Sequence, residues 1–116
     1  MTATAARPLT EAQWQRQVTD LANLFGWCWA HFRPARTEQG WRTPVAGPGG
    51  AGFPDLVMWR ERVLFVELKT DRGLVRPEQE DRLAALTAAG ASCHLWRPKN
   101  WPEVVEVLCA PVGGRA

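Results

Sequence analysis

The stretch GFPDLVMWRERVLFVELKT, residues 52–70, decides the fold of this chain. It contains two short apolar runs, DLVMW (55–59) and VLFVELKT (63–70), which read as β-strands. Because only RER (60–62) separates them, we predict an antiparallel hairpin. Charged residues interrupt this apolar pattern: Asp55 heads the first strand, and Glu67 and Lys69 end the second. Buried charge is costly unless it is paired or binds a metal, so we expect the chemistry of the protein here.

Strand alternation fixes how these charges lie. Glu67 and Lys69 fall on one face, about 6.5–7 Å apart along the strand. The start of one strand of an antiparallel hairpin lies near the end of its partner, so Asp55 should approach Glu67. The second strand is apolar on both faces over most of its length, which predicts a central strand covered on both sides.

Two neighbouring carboxylates indicate a hard divalent metal. Mg²⁺ prefers oxygen ligands and can activate water and neutralise charge on a phosphodiester. Lys69 would then orient or help deprotonate the attacking water, or stabilise the charged transition state. An E-x-K pair alone is more often a plain salt bridge at a strand edge, and that alternative stays open at this point.

The rest of the chain predicts an α/β protein. Residues 9–26 read as a helix, with Thr10 and Gln13 forming a capping box and Trp14, Val18, Leu21 and Phe25 forming an apolar stripe. WCWAHFR (27–33) and ASCHLWR (91–97) read as strands, residues 77–90 as a helix beginning at Pro77, and a last helix starts near Pro102. The order is α-β-loop-β-β-α-β-α, a mixed sheet with flanking helices.

Residues 34–52, PARTEQGWRTPVAGPGGAG, read as a long irregular loop rich in Gly and Pro. Loops of this length are usually functional or disordered. The loop carries Arg36, Trp41 and Arg42, and Arg33 precedes it. Arginine offers a planar fork suited to phosphate, so we interpret the loop as a mobile binding flap, with a disordered insert as the alternative.

Composition fits one soluble domain and limits its partners. We divide the 116 residues into a leader (1–9), a domain (10–110) and a tail (111–116). The net charge of +2 is too small to indicate nucleic acid by itself. No apolar run could span a bilayer and no signal peptide is visible, so we expect a cytoplasmic protein without a membrane partner. Cys28, Cys93 and Cys109 lack C-x-x-C spacing and are expected to be reduced thiols rather than zinc ligands.

Gln79 is a further candidate from helical spacing. Gln79, Leu83 and Leu86 share one helix face, so the amide should point with the leucines toward the sheet. A buried amide needs partners, which the acidic cluster and its water could supply. A glutamine at the rim of the apolar face is the alternative.

At this point the residues resemble a known family. Pro54-Asp55 followed by Glu67-Leu68-Lys69 fits the PD-(D/E)xK nuclease signature, and the longer pattern over residues 10–98 looks like its VRR-NUC branch. That branch includes small stand-alone phage and bacterial proteins similar to Holliday junction resolvases. The resemblance implies a restriction-endonuclease-like α-β-β-β-α-β core.

The resemblance also implies roles for individual residues. Asp55 and Glu67 match the metal-binding acids, and the Leu68 carbonyl matches a position that can also ligate the metal. Lys69 matches the catalytic lysine, and Gln79 matches a catalytic glutamine on the following helix. Two further positions are Glu11, an acid at the start of the first helix and a candidate additional ligand, and His31, which stands where many relatives carry lysine and could touch phosphate.

The resulting hypothesis is an Mg²⁺- or Mn²⁺-dependent DNA endonuclease without a nucleotide cofactor. Branched, Holliday junction-like DNA is the expected substrate, and a homodimer is expected because a junction needs two symmetric cuts. His31, Arg33, Arg36, Trp41 and Arg42 are the predicted DNA contacts. A flap, duplex-repair or restriction-like nuclease and a non-catalytic nucleic-acid-binding module of the same fold are the alternatives.

Overall fold

The computed structural model describes residues 7–32, 35–38, 40–42 and 45–112. Within them lie the helices α1 (Glu11–Leu24), α2 (Pro77–Ala88) and α3 (Trp101–Cys109), the last preceded by a 3₁₀ turn, Pro98–Asn100. The strands are β1 (Cys28–His31), β2 (Ala35–Thr37), β3 (Gly40–Arg42), β4 (Leu56–Trp59), β5 (Val63–Leu68) and β6 (Ser92–Trp96). The predicted α/β class is confirmed, and the predicted helices and strands occur in the predicted order with shortened strands, while β2 and β3 are additional.

A four-stranded mixed sheet in the order β1-β4-β5-β6 forms the centre of the fold. β4 pairs antiparallel with β5, as the three-residue connection predicted, and also antiparallel with β1. β6 pairs parallel with β5, with Glu67 opposite Leu95, after the chain has crossed over through α2. This crossover brings the end of β5 and the beginning of α2 to the same edge of the sheet.

The irregular loop predicted over 34–52 contains regular structure. β2 and β3 form a separate two-stranded hairpin in which Arg36 lies opposite Trp41 and Ala35 opposite Arg42. The prediction of a wholly irregular segment was therefore wrong for these residues. Gly and Pro cluster in the second half of the segment, where the described residues 45–52 form turns and bends without a strand.

The main core lies between the sheet and the pair α1 and α3. Trp14 and Val18 of α1 are fully buried, and the predicted Thr10–Gln13 capping box is present. The indole N–H of Trp14 donates to the Trp96 carbonyl over 3.0 Å, which ties α1 to the end of β6. The predicted stripe was wrong at Phe25, which is 42% exposed, because α1 ends at Leu24 and Phe25 is its C-terminal cap.

β5 is a central strand, but it is not covered equally on its two faces. Leu64, Val66 and Leu68 are buried against the helices, whereas Val63 on the other face is 49% exposed. On that face α2 packs against β6 and contributes Gln79 as its buried residue. The expectation of cover on both sides therefore holds at the Glu67 end of the strand and fails at its beginning.

The predicted leader and tail lie largely outside the described residues, which begin at 7 and end at 112. Over the described ranges, no helix is both long and apolar enough to cross a membrane.

Candidate active site

A cleft of about 770 Å³ opens at the edge of the sheet where β5 ends and β4 begins. The beginnings of α1 and α2 and the turn before β4 complete its walls. The predicted candidates Glu11, His31, Asp55, Glu67, Lys69 and Gln79 all line it. The fold thus brings together six residues that span positions 11 to 79 of the sequence.

Asp55 enters the cleft immediately before β4. Its backbone carbonyl accepts a 2.8 Å hydrogen bond from the N–H of Phe32, which extends the pairing with β1 by one residue. The carboxylate atom Oδ1 is buried and has no hydrogen-bond partner among the described residues. Burial raises the pKa of Asp55 to about 6, and the charge of Glu11 adds to this, while the Leu68 backbone and Lys69 lower it.

Glu67 is the second acid of the cleft, and it is more deeply buried than Asp55, at 3% exposed. Its Oε2 atom accepts a 3.1 Å hydrogen bond from Gln79 Nε2 and lies 3.8 Å from Lys69 Nζ. Burial raises the pKa of Glu67 to about 8, and the charge of Asp55 is the next cause in the same direction. Two such carboxyls cannot both ionise cheaply without a nearby cation.

Gln79 is held in one orientation by the start of α2. Its Oε1 atom accepts a 3.0 Å hydrogen bond from the N–H of Arg76, so its Nε2 end must face Glu67. The predicted approach of this amide to the acidic cluster is therefore present, whereas Leu83 and Leu86 on the same helix are only half-buried.

Gly52 sets the distance between α2 and the turn before β4. Its φ is +74°, and a Cβ atom built there would lie 2.1 Å from the Glu78 carbonyl oxygen and 2.8 Å from the Gln79 nitrogen. The backbone therefore approaches closely at Gly52, and its partner there is the first turn of α2. Arg82 adds to this contact by donating to the Ala51 carbonyl over 3.3 Å.

Lys69 follows β5 and is fixed by its backbone. Its N–H donates to the Trp96 carbonyl over 3.1 Å, and its ammonium lies beside Glu67. Lys69 lowers the pKa of both buried acids, which places its charge near each of them. A plain strand-edge ion pair would not include the second acid.

Glu11 and His31 reach the cleft from its other side. The charge of Glu11, at the first position of α1, raises the pKa of Asp55 and of Glu67. His31 is the last residue of β1, and its Nε2 lies 3.9 Å from Asp55 Oδ2. Both residues are thus positioned as the resemblance implied, and their roles stay predictions.

The side chains of the remaining predicted DNA contacts lie outside the described part of the structure. Arg33 lies outside the described residues. Arg36, Trp41 and Arg42 belong to the β2–β3 hairpin, and their contacts with DNA stay predictions.

Some cleft residues were missed from the sequence. Phe32 and Phe53 line the cleft and meet edge to face with ring centroids 5.8 Å apart. Arg76, just before α2, lines it as well. A basic residue preceding Pro at a helix start was a visible signal for Arg76, whereas nothing in the pattern separated these two phenylalanines from core residues.

A divalent metal fits the buried acids, but the protein side chains cannot enclose it. Among the described residues, no three His, Cys, Asp or Glu side chains form a metal-binding group. The unpartnered Oδ1 of Asp55 and the raised pKa values of both acids indicate a place for a cation. Mg²⁺ commonly takes one or two carboxylates and completes its shell with water, carbonyls and substrate phosphate.

A mixed α/β sheet with P-D and E-x-K side chains gathered at one edge defines the class of PD-(D/E)xK nuclease folds. A family model, the VRR-NUC domain, matches residues 41–106, more than half of the chain. The chain therefore belongs to the VRR-NUC family, and this membership implies a nuclease-type function acting on DNA. The matched range includes Asp55, Glu67, Lys69 and Gln79, but Glu11 and His31 precede it.

Comparison with solved structures supports the fold. A VRR_NUC domain protein is similar with a TM-score of 0.51 and 21% sequence identity, over 86% of this chain and 88% of that chain. No curated protein matches this chain significantly.

Proposed function

We propose that the protein is a divalent-metal-dependent DNA endonuclease that hydrolyses phosphodiester bonds. The observation that carries the proposal is the pair formed by the half-buried Asp55 and the buried Glu67, both with raised pKa values, beside Lys69 in an open cleft. Two carboxyls that ionise with difficulty have no use in stability, since neutral residues of the same shape would pack as well. They are suited to binding a cation that a nuclease needs.

Asp55 and Glu67 would hold Mg²⁺ or Mn²⁺, with the Leu68 carbonyl as a further ligand. Glu11 is the candidate for an additional ligand, although among the described residues it does not already form a three-residue metal group with the two acids. When bound, the metal would neutralise phosphate charge and lower the pKa of water. Gln79 keeps Glu67 in one orientation through its hydrogen bond. Lys69 would orient the water or stabilise the charge that develops on the phosphate.

Branched DNA is the proposed substrate, and a homodimer is the proposed active form. The support is the resemblance to stand-alone VRR-NUC proteins and the need for two symmetric cuts at a junction. Arg33, Arg36 and Arg42 would contact the DNA backbone, with Trp41 and His31 near them, and such binding weakens as salt increases. We place this activity in the cytoplasm of a bacterial or phage-infected cell.

Cleavage of defined DNA tests the proposal. The purified protein is incubated with junction, flap, duplex and single-stranded DNA in Mg²⁺ or Mn²⁺, beside Asp55→Ala and Lys69→Ala. We expect the junction to be cut fastest and each variant to lose about 100-fold or more. Asp20→Ala is the matched control, because Asp20 is an exposed carboxylate on α1. This variant should cleave DNA at the wild-type rate.

Two results would reject the proposal. If the wild-type protein cuts none of these substrates, or if the Asp55 and Lys69 variants cut as well as wild type, the chain is not a nuclease of this type. DNA binding without cutting by the wild-type protein would favour the non-catalytic binding module.

A further inference from the structure

Arg97, the first residue after β6, is partly buried and makes two contacts with the turn that follows β5. One guanidinium nitrogen, Nη1, donates to the carbonyl oxygens of Thr70 over 2.6 Å and of Gly73 over 2.7 Å. Charge-assisted hydrogen bonds of this length are among the stronger ones in proteins. They join Arg97 to a turn that follows Lys69 directly.

This turn connects two parts of the active site. Residues 70–76 connect Lys69, which follows β5, to Pro77, where α2 begins. Gln79 lies in the first turn of that helix. A backbone hydrogen bond from the Gly73 N–H to the Thr70 carbonyl closes the turn over 3.1 Å. Any movement of the turn would therefore move Lys69 or the start of α2.

Apolar packing holds this segment only weakly. Leu74, in its middle, is 84% exposed, and none of residues 70–76 is fully buried. Polar contacts with the strand end of β6 must therefore fix it. Arg97 supplies two of them, and the backbone N–H of Lys99 supplies another by donating to Asp71 Oδ1 over 3.1 Å.

Arg97 is itself rigidly anchored. Its N–H donates to Asn100 Oδ1 over 2.8 Å, and its carbonyl accepts from the N–H of Asn100 over 2.7 Å. The preceding residue, Trp96, is fully buried, and its carbonyl accepts from both Lys69 and Trp14. The guanidinium therefore extends from the most constrained part of the fold to the turn beside the lysine.

We propose that Arg97 is a positioning residue for cleavage, which fixes the turn 70–73 and thereby the placement of Lys69 and Gln79. The inference rests on the proposed nuclease function for its kinetic consequence, but its structural part can be measured without activity. Small displacements of a catalytic group cost large factors in rate. Arg97 acts through the turn and through backbone carbonyls, so it would affect the rate of cleavage more than the binding of DNA.

The test compares Arg97→Ala, Arg97→Lys and Lys99→Ala. Lys99→Ala is the matched control, because it removes a neighbouring positive charge while keeping the backbone N–H that contacts Asp71. Single-turnover cleavage at saturating junction DNA gives the rate, and fluorescence anisotropy without divalent metal gives DNA affinity. Backbone ¹⁵N relaxation by NMR reports the order of residues 69–76 in each protein.

We expect Arg97→Ala to lower the cleavage rate about tenfold or more, with DNA affinity changed less than about twofold. The amides of residues 70–76 should lose order, while the spectrum of the core stays native. Arg97→Lys should recover part of the rate, since an ammonium can still donate to both carbonyls. Lys99→Ala should match wild type in rate and order.

Different failures are distinguishable. Unchanged relaxation of residues 70–76 in Arg97→Ala overturns the inference whether or not the protein cuts DNA. A loss of DNA affinity as large as the loss of rate makes Arg97 a DNA contact and also overturns it. Absence of cleavage by wild-type protein rejects the proposed function, while the relaxation data still decide whether Arg97 fixes the turn.

Discussion

Glu67 combines an ionisable carboxyl with a position that is 3% exposed. Its raised pKa and that of Asp55 have the same first cause, burial, and each acid lies in the field of another carboxylate. In the metal-free protein, ionising these groups opposes folding as the pH rises above their usual pKa values. Both acids are therefore expected to reduce the stability of the metal-free protein above those pH values.

Replacing the acids by amides tests this cost. In the metal-free protein, Asp55→Asn and Glu67→Gln should raise the free energy of unfolding by about 1–3 kcal/mol at pH 8. A folded-state pKa above the unfolded value means that the cost is absent below about pH 4, where both states are protonated. The gain should therefore disappear at that pH, and thermal unfolding across pH 4–9 measures it.

A clear decrease in the melting temperature of both amide variants at pH 8 would contradict this account, because it would mean that the ionised acids stabilise the fold. Asp20→Asn, at an exposed site on α1, is the control, and it should leave the melting temperature unchanged at every pH.

The affinity for a divalent metal should rise with pH, whereas the stability of the metal-free protein should fall. A metal displaces protons from carboxyls with a pKa of about 6 and about 8, so affinity should rise by up to about tenfold per pH unit between them. Calorimetric titration of Mn²⁺ into the protein in buffers of different ionisation enthalpy measures both affinity and proton release. Affinity that is independent of pH over this range would show that the metal binds elsewhere.

At the scale of elements, the active site depends on how closely α2 meets the turn before β4. Gly52 makes this approach possible, because any Cβ atom would overlap the Glu78 carbonyl. The positive φ of Gly52 adds strain for any other residue. This contact helps to set the position of Gln79 relative to Glu67.

Gly52→Ala should therefore destabilise the protein by about 3 kcal/mol or more and lower cleavage, since overpacking and backbone strain add. Gly47→Ala is the control. Gly47 also has a positive φ, of +97°, but a Cβ atom there would meet nothing within 4 Å. Its cost should be about 1–2 kcal/mol from strain alone. Equal melting temperatures for the two variants would show that the close approach of α2 does not add to the destabilisation by Gly52→Ala.

At the scale of the whole molecule, the candidate catalytic residues among the described part of the chain gather in the cleft at the edge of the sheet. A substrate with two strands to cut requires two such clefts, which a two-fold symmetric dimer provides. Light scattering at micromolar concentration should therefore give about twice the 13.0 kDa of one chain, with or without junction DNA. A strictly monomeric mass in both conditions would exclude the homodimer and favour a substrate that needs one cut.

Much of the fold could be predicted from local pattern. The alternation in β4 and β5 and the three-residue connection between them determine the hairpin, and the Thr10–Gln13 capping box determines where α1 begins. The β2–β3 hairpin was missed, because strands of three residues among Gly and Pro carry too little periodicity to recognise. Phe25 was misplaced, since helical spacing does not say where a helix ends.

The candidate site also has one part that the sequence predicts and another part that depends on the tertiary structure. The sequence by itself determined the residue types at Asp55, Glu67 and Lys69, their place at the joined ends of a hairpin, and the face of Gln79, because these follow from strand and helix periodicity. Only the tertiary structure decided that Glu11 and His31 reach the same cleft, that Gly52 meets α2, and that Arg97 holds the turn after Lys69. Those contacts join residues far apart in the chain, and their geometry depends on the crossover through α2 and on packing that local sequence does not specify.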